Sequence, residues 1–346
     1  MSPNVAVVGA TGAVGNEMLG ILAERAFPMA SLRLVASARS KGRKISFAGD
    51  ELEVVEISDA AFGGVDVALF DTPDEVAIEW VPRAKAAGAI CVDNSAAWRM
   101  DEAVPLVIPE INPTALDAHT GIVANPNCTA ITLLMPLAPL HRVASCRRVI
   151  AASYQSVSGA GVAGIDDLYE QAEKMLPERD AVRRGRVEGI APVGRAFAHP
   201  IAFNVIPQVG SFDAAGTTSE ERRVAGETCK ILDAKIDVFS TCVRVPTVVG
   251  HGVAAWASFE RPLSIEDARR ALSEAGGVVL DDDPLAGRYP TPLAAAGGDK
   301  AIVGRLRGDP AGGNALAFFS TCDNLRKGAA LNAVQICELL VARGLV

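Results

Sequence analysis

The chain has 346 residues, which is long for one hydrophobic core and predicts two domains of roughly 100–200 residues each. Hydrophobic residues make up 49% and charged residues 21%, the balance of a globular protein rather than a disordered or fibrous one. The 33 basic and 41 acidic residues give a net charge of −8. This charge disfavours an overall positive field for nucleic acid or an anionic membrane.

Two further features of the sequence bear on its location and on metals. No apolar run approaches the ~20 residues of a membrane span, and no basic segment followed by an apolar one opens the chain. We therefore expect a cytoplasmic protein. The seven cysteines are an odd number without a C-x-x-C pair, which argues against a disulfide framework and a zinc site, so we expect no metal.

The first part of the chain alternates short apolar strands with helices. Strands are predicted over residues 5–8, 32–35, 65–70 and 90–92 and near 122–123, with helices over residues 13–26 and 74–87. This alternation indicates a parallel, doubly wound α/β sheet.

From residue 149 the pattern changes to longer strands and predicts a mixed or antiparallel sheet with helices on one side. A helix over residues 129–141 precedes it, and Pro136 and Pro139 should kink or end that helix. The expected elements are strands over residues 149–153, 201–205, 253–259 and 316–320, helices over 164–175, 218–232 and 264–274, a charged loop over 177–200 and a final helix over 324–343.

A glycine-rich turn follows the first strand and opens the first helix. Its residues are Gly9-Ala10-Thr11-Gly12-Ala13-Val14-Gly15. Such a turn lets the backbone approach a pyrophosphate, whose charge is met by amides at the helix N-terminus. The spacing is G-x-x-G-x-x-G rather than the commoner G-x-G-x-x-G, and the alternative is a tight strand-to-helix turn without a ligand.

After the second strand the chain carries hydroxyls and cations where an NAD site would place a carboxylate. Ser37, Arg39, Ser40 and Lys41 occupy this stretch. These side chains suit the 2′-phosphate of NADP. The alternative is a solvated basic loop.

Cys128 differs from most of the other cysteines because its neighbours, Asn125-Pro126-Asn127-Cys128-Thr129, are largely polar. The start of a helix favours thiolate, and the Cys128 amide, with Asn127 as a second donor, could stabilise an oxyanion. His251, in a turn flanked by Gly250 and Gly252, is a candidate base. A lone histidine in a turn is more often solvated.

These residues resemble the aspartate-semialdehyde dehydrogenase family. The shared motifs follow that family's order over almost the whole chain: residues 9–15, 37–40, 93–101, 107–112, 125–128, 154–161, 201–207, 242–246 and 323–330. The resemblance implies a Rossmann-type NADP-binding domain, residues 1–127 with 324–346, and an α+β catalytic and dimerisation domain, residues 128–323. It also implies a homodimer.

The resemblance further implies a reversible reaction in which NADPH reduces L-aspartyl 4-phosphate to L-aspartate 4-semialdehyde with release of phosphate, in the biosynthesis of lysine, threonine and methionine. The implied catalytic residues are Cys128 as nucleophile, Gln155, His251 as acid/base and Asn127. The implied substrate ligands are Arg99 and Arg223 for phosphate, Glu220 and Arg244 for the aspartyl group, and Asn94. The implied cofactor ligands are Gly9, Thr11, Gly12, Ala13, Val14, Gly15, Ser37, Arg39, Ser40, Ser158, Gly159 and Asn324.

Three departures from the family pattern stand out. The family usually has lysine where this chain has Arg223, a glycine-rich turn where it has residues 71–74, and a serine-containing stretch after His251. Helical spacing puts Glu220 and Arg223 on one face, although Glu220 or Glu221 could instead belong to a capping box. The rival hypotheses are a related acyl-phosphate or acyl-CoA reductase for another small acid, and a catalytically silent homologue with a binding or structural role.

Overall fold

The computed structural model describes residues 2–190 and 192–346, which form two compact units. The first unit contains the described residues up to Ile131 together with Gly226–Ala234 and Leu325–Val346. The second unit contains Thr132–Ala225 and Lys235–Asn324. Within the described residues, no helix combines the length and the apolar character that crossing a membrane requires.

The elements of the described residues are as follows. The strands are β1 Asn4–Val8, β2 Ser31–Ala36, β3 Lys44–Phe47, β4 Asp50–Glu56, β5 Val67–Phe70, β6 Ile90–Asp93, β7 Ile122–Ala124, β8 Cys146–Gln155, β9 Asp237–Arg244, β10 His251–Phe259, β11 Val278–Leu280, β12 Ala301–Gly308 and β13 Ala315–Cys322. The helices are α1 Ala13–Glu24, α2 Asp74–Ala86, α3 Cys128–Ala144, α4 Gly161–Met175, α5 Arg179–Arg183, α6 Ser219–Leu232, α7 Ile265–Ser273, α8 Pro292–Ala295 and α9 Leu331–Ala342.

The first unit contains a seven-stranded sheet in the order β3-β4-β2-β1-β5-β6-β7. Its neighbouring strands run parallel, except β3 and β4, which are antiparallel. The chain runs outwards from β1 in one direction and then from β5 in the other, which confirms the doubly wound sheet expected from the sequence. The carboxyl ends of β1 and β5 therefore flank the crevice where such sheets bind ligands.

Helices α1 and α9 supply much of the core of the first unit. Met18 and Leu22 of α1 and Leu331, Val334 and Leu340 of α9 are buried in one cluster with the strands. Burying a side chain of this size contributes about 1.5–3 kcal/mol. This packing fixes the turn between β1 and α1.

The second unit contains a six-stranded mixed sheet in the order β11-β12-β13-β10-β8-β9. Strand β10 is antiparallel to both β13 and β8, whereas β8 is parallel to β9. The register aligns Phe239, Ile150, Trp256 and Ala317 across four strands. Residues directly opposite each other point to the same face, so these four side chains form one apolar row.

Helix α3 continues past both prolines, so neither Pro136 nor Pro139 ends it. Pro136 has no N–H to offer the carbonyl of Thr132 four residues earlier. The Ser320 hydroxyl donates to that carbonyl instead, at 2.8 Å. A side chain from β13 thus supplies the hydrogen bond that the helix cannot.

Other differences from the sequence predictions have local causes. The stretch 201–205 is not a strand, because Phe203 has φ of 56° and the amides of Ile201 and Ala202 donate to the Gln171 side chain. The expected loop 177–200 contains α5, and the final helix begins as a π-helical turn, Arg326–Ala330, before α9. Several strands were missed: β3, β4, β9, β11 and β12.

Candidate active site

The glycine turn of the first unit closes tightly onto the end of β5. Gly9 has φ of +91°, and a Cβ there would lie 2.0 Å from the Asp71 carbonyl oxygen. A Cβ at Gly15 would lie 2.2 Å from the Gly9 carbonyl oxygen. These two glycines are therefore required by the packing of the turn itself. Gly12 precedes α1, and no side chain caps the helix, whose first residues are Ala13 and Val14.

Hydroxyl and cationic side chains lie beside this turn at the end of β2. The hydroxyls of Thr11 and Ser40 are 3.3 Å apart, which brings the two predicted segments together. Ser37 and Arg39 are exposed, and the Arg39 side chain makes no hydrogen bond or ion pair with the described residues. Its guanidinium is thus available to an anionic ligand.

Two carboxyl groups lie at the ends of β5 and β6. Burial raises the pKa of Asp71 to about 6, against the opposing effect of Asn94, whose Nδ2 donates to Asp71 Oδ1 at 3.4 Å. Burial likewise raises the pKa of Asp93 to about 6, although Ser95 donates to it. The departure at residues 71–74 thus places a titratable group opposite the glycine turn.

Cys128 is the first residue of α3 and is half-buried. Asn127 Oδ1 accepts the amides of Thr129 and Ala130 at 2.9 and 3.1 Å, which is the geometry of a helix cap. The backbone N–H of Asn127 donates to Glu227 Oε2 at 2.6 Å. Asn127 is therefore a helix cap, and its role as oxyanion donor stays a prediction for its side-chain amide.

Arg99 is buried in the same unit beside the turn that precedes Cys128. Its Nε donates to the Asn125 carbonyl at 2.9 Å and its Nη2 to the Asn94 carbonyl at 2.6 Å. Its Nη1 lies 3.1 Å from Glu227 Oε1. Arg99 and Asn127 thus meet at the buried carboxylate of Glu227, and the Asn94 carbonyl holds the other end of the Arg99 guanidinium.

The other cysteines differ from Cys128 in their surroundings. Burial raises the pKa of Cys91, Cys146 and Cys242 to about 12, so these groups remain thiols at neutral pH. Cys229 is half-buried like Cys128 but lies in the body of α6. Cys128 therefore still differs from these cysteines because it lies at the start of a helix.

In the second unit His251 is fully buried as the first residue of β10, rather than solvated in a turn. Its Nδ1 accepts the Ser156 backbone N–H at 3.1 Å, so Nε2 carries the proton of the neutral ring. Burial, assisted by the positive charge of Arg244, holds the pKa of His251 well below its usual value. Nε2 has no hydrogen-bond partner among the described residues.

A network of short polar side chains supports this ring. The Ser156 hydroxyl lies 3.0 Å from His251 Nδ1 and 2.9 Å from Asn324 Oδ1. Asn324 also accepts from the Gly250 amide and donates to Ser158. Ser158 and Asn324 are thus placed around His251, and their expected contact with a cofactor stays a prediction.

Arg244 lies next to His251 and is buried at the end of β9. Its Nη1 donates to the Ser156 carbonyl at 2.7 Å. A Cβ at Gly159 would lie 2.7 Å from that nitrogen and 3.3 Å from the His251 ring. Glycine at position 159 therefore makes room for both side chains.

Gln155 and Glu220 form a second polar pair in this unit. Gln155 Nε2 donates to Glu220 Oε1 at 3.0 Å, and Gln155 Oε1 accepts from Ser153 at 2.9 Å. Arg223 Nη1 lies 3.8 Å from Glu220 Oε2 and keeps 36% of its side chain exposed. The structure thus brings Gln155, Glu220 and Arg223 together.

The start of α6 settles which glutamate is the cap. Thr218 Oγ1 accepts the Glu221 amide at 3.2 Å, and Glu221 Oε2 accepts the Thr218 amide at 2.7 Å. This reciprocal pair is a capping box. Glu221 is therefore the glutamate of the capping box, and Glu220 is not part of it.

Sequence reasoning missed three polar residues of these clusters: Ser153, Ser156 and Glu227. Ser156 stood inside a recognised motif, and Glu227 lies seven residues after Glu220, two turns along the same face of α6. This seven-residue spacing is the sequence feature that could have indicated Glu227 as a further polar residue of the site. No group of histidine, cysteine or acidic residues suited to holding a metal ion occurs among the residues described.

Comparison with known proteins identifies the family. The model described as the semialdehyde dehydrogenase NAD binding domain matches residues 4–119, and the one described as the dimerisation domain matches residues 137–327. Aspartate-semialdehyde dehydrogenase of Aquifex aeolicus is 41% identical over 100% of both chains, and that of Streptomyces akiyoshiensis is 44% identical over 98% of both. The crystal structure of aspartate semialdehyde dehydrogenase II complexed with ASA from Vibrio cholerae superposes with a TM-score of 0.92, at 39% identity over 99% of both chains. The chain therefore belongs to the aspartate-semialdehyde dehydrogenase family.

Proposed function

We propose that the protein catalyses the reversible, NADP-dependent conversion of L-aspartyl 4-phosphate to L-aspartate 4-semialdehyde and phosphate, a step in lysine, threonine and methionine biosynthesis. Full-length relatives carry the name of this enzyme, and one relative was crystallised with ASA. The structural observation that carries the proposal is the neutral, fully buried His251 beside Arg244, whose Nε2 has no hydrogen-bond partner among the described residues. Such a group is suited to donate a hydrogen bond to a developing oxyanion.

Cys128 is the proposed nucleophile. Its sulfur attacks the acyl carbon of the aspartyl phosphate, a C–S bond forms, and the bond to the phosphate oxygen breaks with release of phosphate. NADPH, when held by the first unit, would supply the hydride that reduces the thioester carbon. The C–S bond of the resulting thiohemiacetal then breaks, which gives the aldehyde and restores the thiolate. The position of Cys128 at the start of α3 supports this role.

His251 is the proposed acid of the reduction, and it acts through a hydrogen bond. Its Nε2–H donates to the oxygen that becomes negative when hydride adds to the thioester, and the proton stays on the ring because a neutral imidazole without it would be an anion. When the C–S bond breaks, the negative charge moves from that oxygen to the sulfur of Cys128. The Ser156 amide holds Nδ1 as an acceptor, so the proton is on the correct nitrogen before the reaction begins.

The substrate's charged groups have candidate partners. A buried guanidinium suits bidentate capture of a carboxylate, which supports Arg244 for the α-carboxylate. Glu220 suits the amino group, and Gln155, which donates to Glu220, suits orientation of the acyl group. We assign the phosphate to Arg99, Arg223 and Asn94.

The residues present fit NADP in the first unit. The uncapped start of α1 offers amides to a pyrophosphate. Arg39 is exposed and has no side-chain partner among the described residues, and together with Ser37, Ser40 and Thr11 it suits a 2′-phosphate. We therefore propose NADP rather than NAD as the preferred cofactor.

A homodimer is proposed from the outer face of the six-stranded sheet. In its apolar row Phe239 and Ile150 are 68% and 42% exposed. The matching model is described as a dimerisation domain. Because exposed apolar rows of this kind mark interfaces, we propose that a second copy covers this face.

The activity is tested by measuring initial rates of NADP reduction with L-aspartate 4-semialdehyde and phosphate, beside other small aldehydes. We expect the rate to require phosphate and to be greatest with L-aspartate 4-semialdehyde. Preference for another aldehyde, or replacement of phosphate by coenzyme A, would point to a related acyl reductase. Inactivity with every aldehyde would indicate a silent homologue.

A further inference from the structure

Glu227 is a fully buried carboxylate that the proposed reaction leaves unused. It lies on α6 in the first unit. Its Oε1 is 3.1 Å from Arg99 Nη1, and its Oε2 accepts the Asn127 backbone N–H at 2.6 Å. One side chain therefore joins a proposed phosphate ligand to the turn that presents Cys128.

We infer that Glu227 is a positioning residue for phosphate, which fixes the Arg99 guanidinium relative to the peptide preceding Cys128. This inference rests on the proposed function. A buried ion pair can often be replaced by apolar residues with little loss of stability, so stability alone does not explain it. A carboxylate here holds two donors of different segments at a fixed separation.

The next turn of α6 holds the backbone of the same segment. Lys230 Nζ donates to the carbonyls of Arg99 at 2.7 Å, Asp101 at 2.7 Å and Val104 at 2.8 Å. Glu227 and Lys230 are three residues apart and lie on one face of the helix. Helix α6 thus orients Arg99 twice: Lys230 holds its main chain, and Glu227 holds its guanidinium.

The test is Glu227→Gln, measured by the KM for phosphate in the oxidative direction. A carboxylate offers acceptors to both donors, whereas a carboxamide of the same shape must turn its NH2 towards one of them. Loss of one charge-assisted contact should raise the phosphate KM by about tenfold or more. The KM for NADP should stay unchanged.

Thr228→Val is the matched control, because Thr228 is fully buried on the same helix and its hydroxyl has no partner among the described residues. It should leave both KM values unchanged. If Glu227→Gln does not fold, Glu227→Asp keeps the charge but is too short to span both donors, and should raise the phosphate KM.

An unchanged phosphate KM in a folded Glu227 variant would overturn the inference, as would failure of both variants to fold, which would make Glu227 a residue of the core. Absence of phosphate-dependent activity in the parent protein would instead contradict the proposed function. The parent assay therefore separates the two failures.

Discussion

At His251, one backbone hydrogen bond decides which ring nitrogen can donate to a ligand. The Ser156 amide must donate to Nδ1, so the proton of the neutral ring lies on Nε2. The sequence predicted a histidine in a glycine-flanked turn, and motif resemblance implied its role. The tautomer and the lowered pKa depend on the burial of the ring and on Ser156 and Arg244, which only the fold brings together.

Asp93 should make stability depend on pH. Its folded pKa of about 6 lies above the ordinary 3.8, so its contribution to stability falls as pH rises between these values and is constant above them. Asp93→Asn should therefore stabilise the protein by about 2 kcal/mol more at pH 7.5 than at pH 4.5. Denaturant unfolding of both proteins at both pH values measures this. If Asp93→Asn changed the free energy of unfolding by the same amount at both pH values, the pKa of Asp93 would not be raised by burial.

Arg39 tests the choice of cofactor. Arg39→Ala should weaken NADP binding by about ten- to a hundredfold, because one charge-assisted contact to the 2′-phosphate is lost. Binding of NAD, which lacks that phosphate, is the internal control and should not change. Titration of both cofactors into parent and variant measures the effect. Equal weakening for NADP and NAD would place Arg39 elsewhere on the cofactor.

Among the secondary-structure elements, helix α3 depends on a hydroxyl from strand β13. Ser320→Ala removes the donor to the Thr132 carbonyl opposite Pro136 and should cost about 1–3 kcal/mol. Thr321→Val is the control, since the Thr321 hydroxyl is buried without a partner among the described residues. Thermal unfolding of the parent and of both variants measures the loss of stability. Equal stability of both variants would mean that Thr132 does not need this donor.

The elements that the sequence predicted best are those whose apolar pattern is local. Strands β1, β5 and β6 of the parallel sheet are mostly buried apolar runs that the sequence predicts directly, and β2 is buried over its second half. Residues 201–205 also form an apolar run, but the Gln171 side chain takes two of their amides. Such long-range partners are not visible in a local pattern.

The candidate site shows the same limit. Spacing left open whether Glu220 or Glu221 caps α6, and the contacts of Thr218 assign the cap to Glu221. Glu227 was missed because its partners, Arg99 and Asn127, lie about 100 residues or more away along the chain. Motif resemblance finds residues that a family shares in short segments, whereas supporting contacts of this kind require the fold.

At the scale of the whole molecule, the apolar row on the second sheet predicts assembly. Phe239→Asp places a charge in the proposed interface and should shift the protein from dimer to monomer. Leu293→Asp on α8 is the control, because Leu293 is 84% exposed and lies outside the row. Sedimentation velocity of the parent and the two variants measures the oligomeric state. A dimer that survives Phe239→Asp unchanged would place the interface elsewhere.

In the proposed reaction Cys128 carries the acyl group of a phosphate-dependent dehydrogenase. The direct measurement is phosphate-dependent NADP reduction by Cys128→Ala, with Cys229→Ala, the other half-buried cysteine, as control. Turnover should vanish in Cys128→Ala while its melting temperature and NADP affinity stay those of the parent, and Cys229→Ala should remain active. Appreciable phosphate-dependent turnover by folded, pure Cys128→Ala would show that Cys128 does not carry the acyl group.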